Sequence, residues 1–221
     1  MARGFFPLGG ENSGEPIDPR DVESWGHGDS YPGQAILGGA SMREVLHRLI
    51  DGDPIELRPR CMAKLRDGAW FVSLDRTHLR AAARVAYASR VYRGSPPLDA
   101  WLHARIDQSI EELVREEHED ERAQKVPGTR PDPLYAYLAA VLGLEFPLAR
   151  RACVALNRLP TEERATFFAV VLDRKSVHRR VAEGNGPPAT VLAQLKAATD
   201  AIEAVTGWDR RTRPGDPYDE F

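Results

Sequence analysis

The chain has 221 residues, of which 42% are hydrophobic and 29% charged, with a formal net charge of −3. That composition is ordinary for a water-soluble globular protein, and the length allows one medium domain or two small helical ones. No apolar run approaches the ~20 residues that a membrane-spanning helix needs, and the opening MARGFFPLGGENSGEP lacks the apolar core of a secretory leader, so a cytoplasmic protein with no membrane partner is expected.

Residues 1–38 are rich in Gly, Pro, Asp, Ser and Glu without a periodic apolar pattern, which predicts a flexible N-terminal arm. Ser41 followed by Glu44 has the spacing of a capping box, and Val45, Leu46, Leu49 and Ile50 supply the apolar face of a first helix. Asp51-Gly52-Asp53-Pro54 ends it. Residues 55–74 are ambiguous in pattern: a helix to Arg66 followed, after the tight-turn signal Asp67-Gly68, by a brief extended AWFVSL is one reading, and no sheet is assigned. Helices are then expected over 77–92 and 98–122, making a helical domain of 39–122. The segment ERAQKVPGTRPDP combines prolines with a glycine and marks a linker, taken as 123–132. Cys61 and Cys153 are far apart and lack metal-ligand spacing, so buried reduced thiols are expected and no metal or cofactor.

The second helical domain, 133–206, carries the most informative pattern. Helices over 133–142 and 147–157 lead into LNRLPTEERATFF, where Ala165, Phe168, Val171 and Leu172 recur at helical spacing. Ser176 is placed to cap a short helix containing Val177 and Val181. Gly184-Asn185-Gly186 ends that helix, and Pro187 or Pro188 opens the next. Val191, Leu195, Ala198, Ile202 and Val205 then form one apolar seam. The fold class is therefore all-α, with two small helical domains joined by a linker, the second a helix-turn-helix. A flexible tail, 207–221, follows, with Trp208, Tyr218 and Phe221 as aromatic anchors for a partner if it docks.

In these residues the chain resembles bacterial RNA polymerase sigma factors of the extracytoplasmic-function type. Leu159-Pro160, Glu162-Glu163, Arg164, the apolar run 167–172, Ser176 and Thr190-Val191 follow the order of their C-terminal promoter-reading region. Upstream, Tyr92-Arg93-Gly94 and Trp101-Leu102 are similar to the end of the family's other conserved region, where an aromatic-Arg-Gly loop precedes the helix facing melted DNA. The resemblance spans roughly residues 40–206. It implies action in transcription initiation or its regulation, with RNA polymerase core and promoter DNA as partners and an anti-sigma or other protein as a further one. It also implies DNA contacts from Arg174, Lys175, Arg179, Arg180, Thr190, Gln194 and Lys196, with Arg93, Trp101 and Arg105 in the upstream loop and helix.

Charge supports an alternative, a sigma-derived adaptor that binds proteins and has lost DNA binding. From Leu159 to Val205 six basic residues face six acidic ones, leaving no net attraction for phosphates. Between His103 and Arg122 eight acidic residues stand against three arginines, which predicts an exposed acidic helix. The stretch THLRAAARVAYASRVYR lacks the acidic pair and Gln that family members use to dock on polymerase. Trp101 and the pair Phe167 and Phe168 have core packing as their simpler role, and Arg179 and Arg180 a solvated face. His103 and Asp107 lie one turn apart as metal ligands can, without a second such pair. No Gly-rich phosphate loop, nucleophile elbow or ligand set appears, so an enzyme is not expected.

Overall fold

The computed structural model describes residues 41–122 and 132–208, all-helical with no strand among them. The expected arm, most of the expected linker and the tail beyond Trp208 lie outside the described residues. The helices are α1 (Met42–His47), α2 (Leu57–Asp67), α3 (Leu74–Ala88), α4 (Leu98–Arg122), α5 (Pro133–Leu142), α6 (Phe146–Asn157), α7 (Thr161–Phe167), α8 (Val177–Ala182) and α9 (Pro188–Thr206). α1 continues into a π-helical turn, Arg48–Gly52, and α7 into another, Phe168–Leu172. Among the described residues no helix is long and apolar enough to cross a membrane.

Local chemistry sets most of these boundaries. Ser41 Oγ accepts from Glu44 N at 3.3 Å while the Glu44 carboxylate accepts from Ser41 N at 2.8 Å, so the predicted capping box closes. Asp53, in left-handed backbone, accepts from Leu57 N at 2.6 Å and Arg58 N at 2.9 Å, which satisfies the free amides at the start of α2. Ser73 caps α3 through Arg76 N. That cap moves the start of α3 to Leu74, ahead of the expected Thr77, and α3 stops at Ala88 rather than Tyr92. A helix ends at Asp67 as that reading had it, and 69–73 form a short connector, not a strand, entered through left-handed Ala69.

Two apolar clusters form. The first gathers Leu49, Leu57, Leu102, Ile106, Ile110 and their neighbours from α1–α4. The second gathers Leu138, Leu156, Phe167, Leu195 and Ile202 from α5–α9. Each holds one free cysteine, and burial pushes the Cys61 thiol up to about 12 and the Cys153 thiol upward as well. Trp208, just past the Gly207 end of α9, donates its indole N–H to Leu142 O at 2.8 Å and so ties α9 to α5.

The buried face of α7 is offset from the predicted one. Arg164, Thr166, Phe167, Ala169 and Val170 are buried, whereas Ala165, Phe168, Val171 and Leu172 are only partly so. A π turn shifts the helical phase, and Asp173 N bonds Phe168 O five residues back at 3.0 Å. A charged residue also belongs to the inward face, which disguises it in sequence.

The acidic helix is likewise not an exposed anionic surface. α3 lies along α4, and Arg76, Arg80 and Arg84, spaced one turn apart, meet the acids of α4. Arg76 reaches Glu117 at 2.7 Å, Arg80 reaches Glu116 at 2.6 Å, and Arg84 pairs with Glu112. Lys64 of α2 takes Asp107 at 2.9 Å, so the carboxylate beside His103 is already engaged. The excess negative charge of α4 is largely answered within the chain.

Two joints connect the halves. In the first, Phe71 of the α2–α3 connector belongs to the second cluster, fully buried, with ring centroids 5.9 Å from Phe167 and from Phe168. The Asn157 side chain completes the pairing of that residue's backbone, accepting from Phe71 N at 2.9 Å and donating to Phe71 O at 3.1 Å. Arg164 donates to Gly68 O at 3.1 Å and to Leu159 O at 2.7 Å, with its guanidinium 3.8 Å from the centroid of the Trp70 ring. In the second joint the end of α4 meets α5 and α6, where the Tyr135 hydroxyl donates to Glu117 and Arg158 reaches Glu121 at 3.2 Å.

Candidate nucleic-acid interface

Helices α7, α8 and α9 occupy the segments in which a helix-turn-helix was expected. α8 starts at Ser176, whose Oγ accepts from Arg179 N at 3.2 Å. The following turn uses Gly184 at φ 84° and Gly186 at φ 90°, backbone that disfavours side chains. Thr190 N bonds Pro187 O at 2.9 Å as α9 begins with Pro188 in its first turn. The seam Val191, Leu195, Ala198 and Ile202 is buried, with Val205 partly so. α9 packs across α6 and α7, and α8 packs on α9.

The candidate DNA-contact residues sort into three environments. Arg174, in left-handed backbone, Arg179 and Thr190 are exposed. Lys175 and Lys196 are paired, Lys175 to Glu183 at 2.9 Å and Lys196 to Asp200 at 2.5 Å. Arg180 and Gln194 point inward. Thr166 Oγ1 donates to Gln194 Oε1 at 2.7 Å and accepts from Arg180 Nη2 at 3.3 Å, so α7 engages both residues.

Glu183 collects three cations. Lys175 bonds it, Arg179 lies at 3.5 Å and Arg180 at 3.7 Å, and the Lys175 bond holds the carboxyl below its usual range. One carboxylate cannot neutralise three cations, so α8 keeps a positive excess that the six-against-six count over the whole segment conceals. Asp173, the other acid nearby in sequence, is held at 3.1 Å by Arg66 of the first half. In the first half of α9 the outward residues are Pro188, Ala189, Thr190, Leu192, Ala193 and Lys196, with Leu192 notably open for an aliphatic side chain, and the acids Asp200 and Glu203 are exposed in its second half.

The upstream candidates are divided. Trp101 is buried and stacked on Tyr92, with ring centroids 4.5 Å apart and planes at 22°. Tyr92 in turn donates to Pro96 O at 2.6 Å, so the aromatic-Arg-Gly loop is folded onto the helix start. Arg105 lies 5.8 Å from the Trp101 centroid and bonds Gln108 at 2.9 Å. Arg93 is exposed and caps Arg90 O at 3.3 Å. Sequence reasoning missed the joint residues Phe71, Asn157 and Arg164, whose partners lie 86 to 96 positions away.

Among the described residues no group of three or more His, Cys, Asp or Glu could hold a metal ion. A groove of about 400 Å³ runs beside the first joint, lined by Met62, Trp70, Leu74, Leu134 and Phe168, with Arg66 on its rim. Comparison of the chain with known proteins finds no matching family model, no matching curated protein and no matching solved structure.

Proposed function

We propose that the chain is a sigma-factor-like protein acting in transcription initiation or its regulation, through RNA polymerase core and promoter DNA in the cytoplasm. The observation that carries this reading is the sequence of junctions from α7 to α9: the Ser176 cap, the left-handed Gly184 and Gly186, and the Pro188 entry to a helix seated on α6 and α7. Of these, Ser176 is also one of the positions that carry the family resemblance, as are Thr190-Val191 in the first turn of α9. The positive excess of α8 adds a physical reason, since phosphate affinity comes from cations that neutralise the backbone. In this reading Arg174 of the turn before α8 and Arg179 of α8 touch phosphates, and α9 approaches base edges with Thr190 and Lys196.

A second reading, a sigma-derived adaptor that binds proteins, is favoured by one observation. Gln194 and Arg180 are engaged by Thr166, and the outward face of α9 presents Leu192 and Ala193 where a base reader needs polar groups.

Binding of the full chain to core polymerase and to duplex and bubble promoter DNA, measured over a range of salt, separates the readings. The first expects DNA affinity that falls steeply with salt and weakens across all sequences in Arg174→Ala/Arg179→Ala. Polymerase binding without DNA binding moves the chain to the adaptor reading, and loss of both removes the first reading.

A further inference from the structure

The outward side of α3 is an apolar face in a basic setting, and the proposed function leaves it unused. Ala81, Ala82, Val85 and Ala86 turn into the first cluster, whereas Leu79 is 41% exposed, Tyr87 40% and, just past the helix end, Val91 45%. These three recur at multiples of four residues, so they lie along one side of the helix and its exit. From Arg76 to Leu98 the chain has five arginines and no acid. Arg76, Arg80 and Arg84 are matched by the carboxylates of α4, and Arg90 and Arg93 stand exposed beyond the end of α3. An apolar face bordered by arginines suits an occupant that combines aromatic rings with carboxylates.

The chain itself carries such a segment. Residues 1–40, which precede the first described residue, hold six acids against two arginines. Within them DVESWGHGDSY, 21–31, brings Asp21, Glu23 and Asp29 together with Trp25 and Tyr31 and contains no Lys or Arg. We propose that this segment of the N-terminal arm docks on the outward face of α3, with Trp25 and Tyr31 on Leu79, Tyr87 and Val91 and its acids toward Arg90 and Arg93. Its place in the chain suits the contact. The arm joins the described helices at Ser41, the cap of α1, and α1 packs on α3. The ten residues from Tyr31 to Ser41 span up to about 33 Å when extended. The 15 residues of α3 are about 22 Å long, so the whole face lies within reach. A tether this short holds the segment at a high effective concentration, which favours it over a second copy or a separate partner of the same chemistry. The contact does not depend on the transcription reading.

Paramagnetic broadening tests the proposal on the full chain. Gly28→Cys adds one thiol to the segment, and the buried, protonated thiols of Cys61 and Cys153 do not compete for a nitroxide reagent. The label should broaden the amide signals of residues 79–93 beyond those of α9. An isotope-enriched chain without the label, mixed with labelled chain of natural abundance, should show no such broadening, because the contact lies within one molecule. Trp25→Ser/Tyr31→Ser and, separately, Arg90→Glu/Arg93→Glu should each remove most of the broadening over 79–93. Arg90 and Arg93 are exposed, so the second pair of changes does not put folding at stake. No excess broadening over 79–93, or broadening unchanged in either double variant, would overturn the contact. Broadening in the mixed sample would assign the face to a second copy and overturn it equally.

Discussion

The two joints hold the same halves together by different chemistry. At the first, an amide, four backbone groups, an arginine and four aromatic rings meet, and none of these changes charge in the physiological range. At the second, a buried carboxyl stands between an arginine and a phenol, and its surface neighbours are exposed ion pairs. Fixed-charge and neutral groups make a contact whose strength hardly depends on pH, whereas a buried carboxyl ties its contact to the proton. The contacts of the first joint are therefore indifferent to pH, whereas the second joint contains a buried titratable group.

The contrast can be broken most forcefully at Phe71. Phe71→Ala empties a fully buried site between Phe167 and Phe168 and should cost about 4 kcal/mol in urea unfolding; a loss below about 1 kcal/mol would show that the second cluster does not need the connector. Asn157→Ala leaves the buried N–H and C=O of Phe71 unpartnered and should cost about 3 kcal/mol, with no change across pH 5 to 8. A pH-dependent loss there would erase the difference between the joints.

Arg164→Lys keeps the charge but loses the planar fork that serves two carbonyls while lying on Trp70. It should cost about 2 kcal/mol by the same measurement; no loss would reduce the contact to ordinary packing. Arg174→Gly acts outside both joints. It relieves a left-handed backbone in an exposed residue and should add about 1 kcal/mol, while DNA affinity, if the first functional reading holds, falls. Arg158→Ala, at the exposed edge of the second joint, should change stability by no more than about 0.5 kcal/mol, because its pair with Glu121 is solvated. A larger loss would mean that this surface pair carries much of the second joint.

What was legible in the sequence was local. Ser41, Ser176, Pro133 and Pro188 mark helix starts because a cap needs only residues two or three positions away, and the seam of α9 follows one helical period. What was hidden was long-range or out of phase. Arg76, Arg80 and Arg84 look like a basic helix and Glu112, Glu116 and Glu117 like an acidic one until α3 lies along α4. Arg164 reads as a surface charge beside Glu163, yet it is buried because Gly68 O and Trp70 wait for it 96 positions upstream. The π turn at 168–172 defeats a periodicity built on 3.6 residues. At the candidate interface, spacing identified the basic residues but not which were engaged, since Thr166 claims Gln194 and Arg180 through contacts that no local pattern announces.

The cysteines give the two-part core a use as a clock. Cys61 lies wholly inside the first cluster and Cys153 wholly inside the second, each with a thiol held in its unreactive protonated form. An alkylating reagent in excess can modify either one only while its own half is open, so the wild-type chain reports on each half with no engineered label. Equal modification rates at the two sites would describe halves that open as one cooperative body. A faster rate at Cys153 would describe α5–α9 breathing while α1–α4 stay shut.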